Sequence, residues 1–248
     1  MTSGSARCAP TPGALAEPSA PVPRRWIAAI AIASVGSWSA VFGPIQVLLA
    51  LQAAQLAPDD KQAVFGLVTG LGAAVSVVAN PVFGALSDRT TSRFGRRLPW
   101  IAASPVAGAA ALALLAWAPD VAVMAVGWCL AQASYNGFGA ALTAAVPDQV
   151  PRTQRGVVSG WLGLAQTAGI VVGTALAALS GGITAGYLAC AALGLASAVP
   201  YLAVRRDLVL PRSQRPPLRP RAFVTGFWID PRRHPDFGWA FLTRMLMK

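Results

Sequence analysis

The stretch 26–51, WIAAIAIASVGSWSAVFGPIQVLLAL, decides the fold because it contains no ionisable side chain. A membrane-spanning helix needs about 20 apolar residues to cross a hydrocarbon core of roughly 30 Å. Arg24 and Arg25 precede the stretch, as basic residues precede the apolar part of a signal peptide. That apolar part is only about 7–15 residues long, however, and no clear cleavage site follows here. We therefore predict that this stretch is a first transmembrane helix.

Further apolar stretches of similar length follow it along the chain. They are Gln62–Leu86, Leu98–Trp117, Val121–Ala145, Val157–Leu179 and Ile183–Val204. Apolar residues make up 55% of the chain and charged residues 12%, and the charged residues lie almost entirely between these stretches. Lipid cannot satisfy open backbone polar groups, so stretches of this length must be helices. The predicted fold class is all-α transmembrane, a six-helix bundle with kinks where Pro44, Pro81 and Pro105 interrupt spans.

The segments that flank the bundle differ from it in composition. Residues 1–25 are rich in Pro, Ala and Ser and predict a disordered cytoplasmic tail before the bundle of residues 26–204. Residues 205–236 are rich in Pro and Arg and predict an extended cytoplasmic linker. Residues 237–248 begin another apolar run, which we interpret as the start of a truncated seventh helix.

The positive charge of the chain lies in alternate connections. The formal net charge is +11, and arginines cluster in the second connection, in the fourth and after the sixth span, while the other connections hold at most one basic residue. The positive-inside rule then places the N-terminus and the even connections in the cytoplasm of a multi-pass protein of the cell membrane. Nucleic acid is not expected as a partner, because the basic residues form no patch with interleaved aromatics. The expected partner is the lipid bilayer.

Reactive side chains are scarce. Cys8, Cys129, Cys190 and His234 have no metal-ligand or disulfide spacing, so no metal and no cofactor are expected. No Ser/His or paired-carboxylate constellation lies in the spans, so an enzyme is not expected either. The spans also lack ionisable residues, which are the usual proton relays. Any ion coupling would therefore depend on a part that this chain lacks, unless the protein is a uniporter.

The most informative motif is GALSDRTTSRFGRRLP, residues 84–99, where the second span ends. Its candidate functional residues are Gly84, Asp88, Arg89, Gly95, Arg96 and Arg97. A carboxylate beside clustered arginines can form charge-assisted pairs with neighbouring helix ends. The first glycine allows a close helix approach and the second a tight reversal. The pattern suits a latch that forms in one conformation and breaks in another. A positive-inside loop with an incidental Asp is the alternative, which composition alone favours.

At these residues the chain resembles the major facilitator superfamily, whose signature is Gly-x-x-x-Asp-Arg/Lys-x-Gly-Arg-Arg. The extra residues Thr91–Phe94 resemble the longer form of sugar-type branches, including glycoside–pentoside–hexuronide and sucrose-type carriers. Residues 146–156 resemble the family's Pro-Asp-x-x-Pro…Arg-Gly loop, which implies that Asp148, Arg155 and Gly156 belong to the same cytoplasmic charge network. Residues 236–244 are similar to the start of its seventh helix.

The resemblance implies two six-helix halves with the substrate site between them. This chain would carry only the first half. Its fifth span reads Gly169-Ile-Val-Val-Gly173-Thr and lacks the Pro of the drug/proton antiporter pattern, which counts against drug efflux. That pair, together with Gly66/Gly70 and Gly156/Gly160, has the spacing of small residues at helix contacts, so we predict that all three pairs pack against other helices.

Polar residues inside the spans are candidates for a substrate cavity. Helical spacing predicts that Gln132, Tyr135 and Asn136 share one face of the fourth span. The other candidates are Gln46, Asn80 and Gln166. Alternatively, these groups join helices through hydrogen bonds worth ~0.6–2 kcal/mol each.

The sequence therefore predicts a secondary active or facilitative transporter that moves a small solute, with a sugar as the leading candidate. It would work by rocking one half against the other, so its partners are the solute and a missing C-terminal half or a second copy. A non-transporting truncated membrane fragment and a drug-efflux type of the same family are the alternatives.

Overall fold

The computed structural model describes residues 17–204 and 207–215, together with Trp239 and Thr243. Residues 17–215 belong to one compact unit that contains six long helices. They are α1 Arg24–Leu56, α2 Lys61–Asp88, α3 Leu98–Ala116, α4 Val121–Gln149, α5 Arg152–Leu179 and α6 Ile183–Val204. Each predicted span falls on one of them, and no strand occurs in the described ranges. The predicted all-α bundle is confirmed.

Five of these helices are long and apolar enough to cross a membrane. The helix outside that group is α4, whose middle carries Gln132, Tyr135 and Asn136. The predictions for residues 1–16, 205–206 and most of 216–248 fall outside the described residues. Trp239 and Thr243 are helical, and the Thr243 hydroxyl donates to the Trp239 carbonyl at 2.8 Å.

The bundle consists of two helix groups that contact each other at several places. In the first group α1 packs against α5 and α6, and in the second α4 packs against α2 and α3. The largest contact between the groups is that of α3 with α6, and smaller contacts join α1 to α2 and to α4. The core between the helices holds large aromatic side chains with no solvent exposure, namely Trp26, Trp128, Phe138 and Tyr187.

The glycine pair Gly169/Gly173 of α5 packs closely against α1, as predicted. A β-carbon on Gly173 would lie 2.5 Å from the Ser39 carbonyl oxygen, and one on Gly169 would lie 2.7 Å from that of Val35. Such distances are far below van der Waals contact, so only glycine fits. The Ser39 hydroxyl adds a hydrogen bond of 2.9 Å to the Gly169 carbonyl.

The other two glycine pairs do not pack. Around Gly66/Gly70 on α2 and Gly156/Gly160 on α5, no atom of the described residues lies within 4 Å of a β-carbon position. The prediction of a helix contact is wrong for both pairs as far as the described residues are concerned. They lie on open faces of the two helices that pack least against the rest of the bundle.

The first helix changes geometry at Pro44. Residues Pro44–Leu48 form a π-helical segment inside α1, in line with the interruption predicted there, because proline has no N–H to donate. Beyond it, the buried Gln52 joins α1 to two other helices. Its amide donates to the Leu115 carbonyl of α3 at 2.7 Å, and its oxygen accepts from the Tyr187 hydroxyl of α6 at 2.8 Å. Sequence reasoning missed Gln52 because the predicted span ended one residue earlier.

The segment before α1 and the first turn of α1 contact the end of α4 and the beginning of α5. Val22 is buried, and its N–H donates to the Gln154 side chain at 2.8 Å. The Trp26 indole donates to Gln149 at 2.9 Å, and Glu17 pairs with Arg152 at 2.5 Å. The sequence predicted a disordered tail over residues 1–25, but residues 17–25 differ from that prediction: helix α1 begins at Arg24, and the residues before it are held by side chains of the bundle.

Candidate functional site

Two buried arginines converge on one carboxylate at the arginine-rich end of the bundle. Arg96 binds Asp148 through two atoms, with Nε 3.0 Å from Oδ2 and Nη2 paired with Oδ1. Arg97 Nε lies 2.8 Å from the same Oδ2. Arg96 is 7% exposed and Arg97 is 3% exposed. Because Asp148 lies in the last turn of α4, this cluster joins the α2–α3 connection to the end of α4.

Arg97 also reaches the end of α2. Its guanidinium pairs with Asp88 and donates to the Ser87 hydroxyl. Burial alone would lower the pKa of Arg97, but the hydrogen bond and charge of Asp148, together with those of Asp88, outweigh it and raise the pKa. The guanidinium therefore stays charged. Asp88 is the open member of the cluster, since 53% of its side chain is exposed.

The turn at Gly95 involves a residue that the sequence did not indicate. Gly95 has φ +109°, and a β-carbon there would lie 2.3 Å from the Asp207 carboxylate. Asp207 follows α6 and accepts hydrogen bonds from the N–H groups of Arg97 at 2.6 Å and Leu98 at 2.8 Å. Burial raises its pKa, although these backbone N–H groups act in the opposite direction. The only sequence signal was an acidic residue directly behind Arg205 and Arg206.

The remaining motif residues lie apart from the cluster. Gly84 has no atom within 4 Å of its β-carbon position. Arg89 is half-buried, and its buried Nη1 has no hydrogen-bond partner among the described residues. Arg155 donates to the carbonyls of Val150 at 3.1 Å and Pro147 at 3.3 Å. Arg155 therefore caps the end of α4, and its charged partner among the described residues is Glu17 at 3.9 Å. Its membership of one network with Asp148 stays a prediction. Gly156 is open.

The polar face of α4 contains fewer residues than the helical spacing predicted. The Asn136 amide donates to the Ser76 hydroxyl of α2 at 3.0 Å and to the Gln132 carbonyl at 2.8 Å. Tyr135 instead fills the core, where its ring and hydroxyl contact the β-carbon positions of Gly108 on α3 and Gly194 on α6. The prediction of one shared face is wrong for Tyr135. Positions i+3 and i+4 lie about 100° apart around a helix, so they can face different neighbours.

The other cavity candidates lie on exposed parts of three helices. Gln46 is in the π-helical segment, and its oxygen accepts from the Thr174 hydroxyl of α5 at 3.1 Å. Asn80 on α2 and Gln166 on α5 have exposed side chains. The structure therefore pairs polar groups between α1 and α5 and between α2 and α4, within the two helix groups of the bundle.

Six long helices, five of them apolar enough to span a membrane, define a multi-pass membrane protein. A buried ion-pair cluster joins its α2–α3 connection to the end of α4. The Major Facilitator Superfamily matches residues 26–247. The chain therefore belongs to this superfamily of membrane transporters, as the motif at residues 84–97 predicted.

Two relatives of this chain have names that refer to different solutes. The class G tetracycline resistance protein of Vibrio anguillarum is 30% identical over 159 residues, which are 64% of this chain and 39% of that protein. The general alpha-glucoside permease of Schizosaccharomyces pombe is 40% identical over 50 residues, which are 20% of this chain and 9% of that protein. The chain thus spans less than half the length of either. The resemblance to the sugar-type branches stays a prediction.

Proposed function

We propose that this chain is the first half of a secondary active or facilitative transporter that moves a small polar solute across the cell membrane. The observation that carries the proposal is the buried cluster of Arg96, Arg97 and Asp148. It holds the α2–α3 connection against the end of α4 at one end of the bundle, as a latch for one state of an alternating-access cycle must do. The half-exposed Asp88 is placed to exchange partners when the latch opens.

A second half is the proposed partner, either a C-terminal six-helix half or another copy of this chain. The faces of α2 and α5 that carry the open glycines also expose large apolar side chains. These are Leu67, Leu71, Val77 and Val78 on α2 and Val157, Trp161, Leu164 and Val171 on α5. A glycine-containing face allows close helix approach, which suits protein contact.

A neutral solute fits the polar groups of the bundle. The hydrogen-bonding side chains in the spans are amides and hydroxyls, such as Gln46, Asn136 and Thr174. Such groups bind the hydroxyls of a sugar without requiring a charge on the solute. The permease relative favours the same class through its name. The tetracycline resistance relative favours the drug-efflux type, which is the second candidate.

Uptake into proteoliposomes distinguishes these candidates. The purified chain is reconstituted and offered a radiolabelled α-glucoside or tetracycline, with each solute also tested against protein-free liposomes. Saturable glucoside uptake that falls at least tenfold with Asn136→Ala supports the proposal. The matched control is Tyr135→Phe, which changes a neighbouring side chain that faces the core. Accumulation of tetracycline alone favours drug efflux, and no uptake of either solute favours the non-transporting fragment.

The proposed orientation has the N-terminus and the arginine-rich connections in the cytoplasm. It can be tested by labelling single cysteines in intact cells, after Cys8, Cys129 and Cys190 are replaced by Ser. Asp59→Cys, between α1 and α2, should react with an impermeant maleimide. Phe94→Cys, between α2 and α3, should react only after the cells are opened. Both positions are exposed, so the reversed pattern would overturn the orientation.

A further inference from the structure

The segment that follows α6 turns back onto the beginning of α3. Asp207 accepts from the N–H groups of Arg97 and Leu98, which lie 110 and 109 positions earlier in the chain. The Arg96 N–H donates to the Leu208 carbonyl at 3.3 Å. Leu210 is buried, at 1% exposure, and completes the attachment.

The beginning of α3 requires such a partner. The first N–H groups of a helix have no acceptor within the helix, and the helix dipole favours a negative charge at that end. Arg97, the residue before α3, makes no side-chain hydrogen bond that would cap the helix. Asp207 supplies the missing acceptor from a distant part of the chain.

Gly95 shows how closely the two segments fit. Its φ of +109° is a conformation that side chains disfavour, and the Asp207 carboxylate occupies the place that a side chain would take. Glycine is therefore required twice, once for the turn and once for the approach of the carboxylate. A loosely attached linker would impose only the first requirement.

We propose that Asp207 is a positioning residue of the latch, because it fixes the backbone from which Arg96 and Arg97 extend toward Asp148. The carboxylate binds the N–H of Arg97 while the guanidinium of the same residue binds Asp148 and Asp88. The segment after α6 is then a component of the latch, so that movement of one is coupled to the other. The inference rests on the proposed function only in treating the cluster as a latch.

Hydrogen exchange tests the contact in the complete 248-residue chain, purified in detergent micelles. Asp207→Ala should speed exchange of the Arg97 and Leu98 amides about tenfold, because each loses a bond to a charged acceptor. Asp207→Asn keeps one acceptor oxygen and should give an intermediate rate. The matched control is Asp120→Ala, which removes the bond of 2.8 Å to the Val123 N–H at the start of α4. Unchanged rates at Arg97 and Leu98 would overturn the proposal.

A double-mutant cycle separates positioning from simple helix capping. Asp207→Ala and Asp120→Ala are each combined with Asp148→Ala, and the midpoint of thermal unfolding is measured. If Asp207 acts through the arginines, Asp207→Ala should lower the midpoint by at most half as much in the Asp148→Ala background as in the unchanged chain. Asp120→Ala should lower it equally in both backgrounds. Equal losses for Asp207→Ala would reduce its role to a cap and refute positioning. Neither readout needs a solute, so a failed uptake assay leaves this test intact.

Discussion

Replacing Asp148 with Asn removes the shared charge of the cluster of Arg96, Arg97 and Asp148 while keeping the shape of the side chain. Arg96 then loses its carboxylate partner, whereas Arg97 retains Asp88 and Ser87. Both guanidinium groups are almost fully buried, and 12% of the Asp148 side chain is exposed. The substitution therefore leaves one buried charge without compensation and a second with less than before.

The size of the effect follows from that burial. Removing one partner of a buried ion pair costs about 3–5 kcal/mol. The amide oxygen of Asn and the retained partners of Arg97 place the loss near the lower end, about 3 kcal/mol. For a chain of this length, each kcal/mol shifts the unfolding midpoint by roughly 2–4 °C, so we expect a decrease of about 6–12 °C.

Asp88→Asn is the matched variant for comparison with Asp148→Asn. Asp88 pairs with Arg97 as well, but half of its side chain is exposed, and exposed pairs contribute about 0–1 kcal/mol. Its substitution should shift the midpoint by less than about 4 °C. The exposed Asp60, which makes no capping hydrogen bond before α2, provides a neutral control as Asp60→Asn. The unfolding midpoint of all three variants is measured by heating samples and monitoring the loss of folded protein by size-exclusion chromatography. Equal shifts for Asp88→Asn and Asp148→Asn would refute the assignment of Asp148 as the centre of the cluster.

Three further substitutions test packing that the structure specifies, each by the same unfolding midpoint. Tyr135→Phe should raise stability by up to about 1 kcal/mol, because it deletes a buried hydroxyl that has no hydrogen-bond partner in the described part of the chain. A loss of stability would contradict that. Gly173→Ala should cost about 1–3 kcal/mol because the α1 backbone lies 2.5 Å from the new carbon, whereas Gly160→Ala in open space should cost nothing. Gly95→Ala should cost more than Gly181→Ala, because both have positive φ but only the first meets Asp207; equal costs would argue against that contact.

The number and order of the helices were readable from the sequence because lipid imposes a strong and local requirement on composition. The helix ends were not. Helix α5 begins at Arg152 and α4 ends at Gln149, outside the predicted spans at Val157 and Ala145. Hydropathy detects the part of a helix that lies in lipid, whereas the helix itself continues into the polar region as long as its hydrogen bonds can form.

The site residues that could be predicted are likewise those that belong to a local sequence motif. Asp88, Arg96, Arg97 and Asp148 were identified through motifs, and the structure brings them together. Asp207 was missed because its partners lie more than one hundred positions away, and no local pattern records such a pairing. Tyr135 was misplaced because residue spacing gives an angle around a helix but not the neighbour at that angle.

The three glycine pairs have identical spacing, but one pair is packed against another helix and two are open. Gly169/Gly173 is covered by α1, while Gly66/Gly70 and Gly156/Gly160 are open. On the same two helices, Asn80 and Gln166 expose amide groups within predicted spans. An amide in hydrocarbon without a hydrogen bond costs several kcal/mol, so a lipid-facing role for those amides is unfavourable. Protein or a water-filled cavity would satisfy them. The open faces of α2 and α5 thus have the chemistry that the proposed second half and the proposed polar solute require.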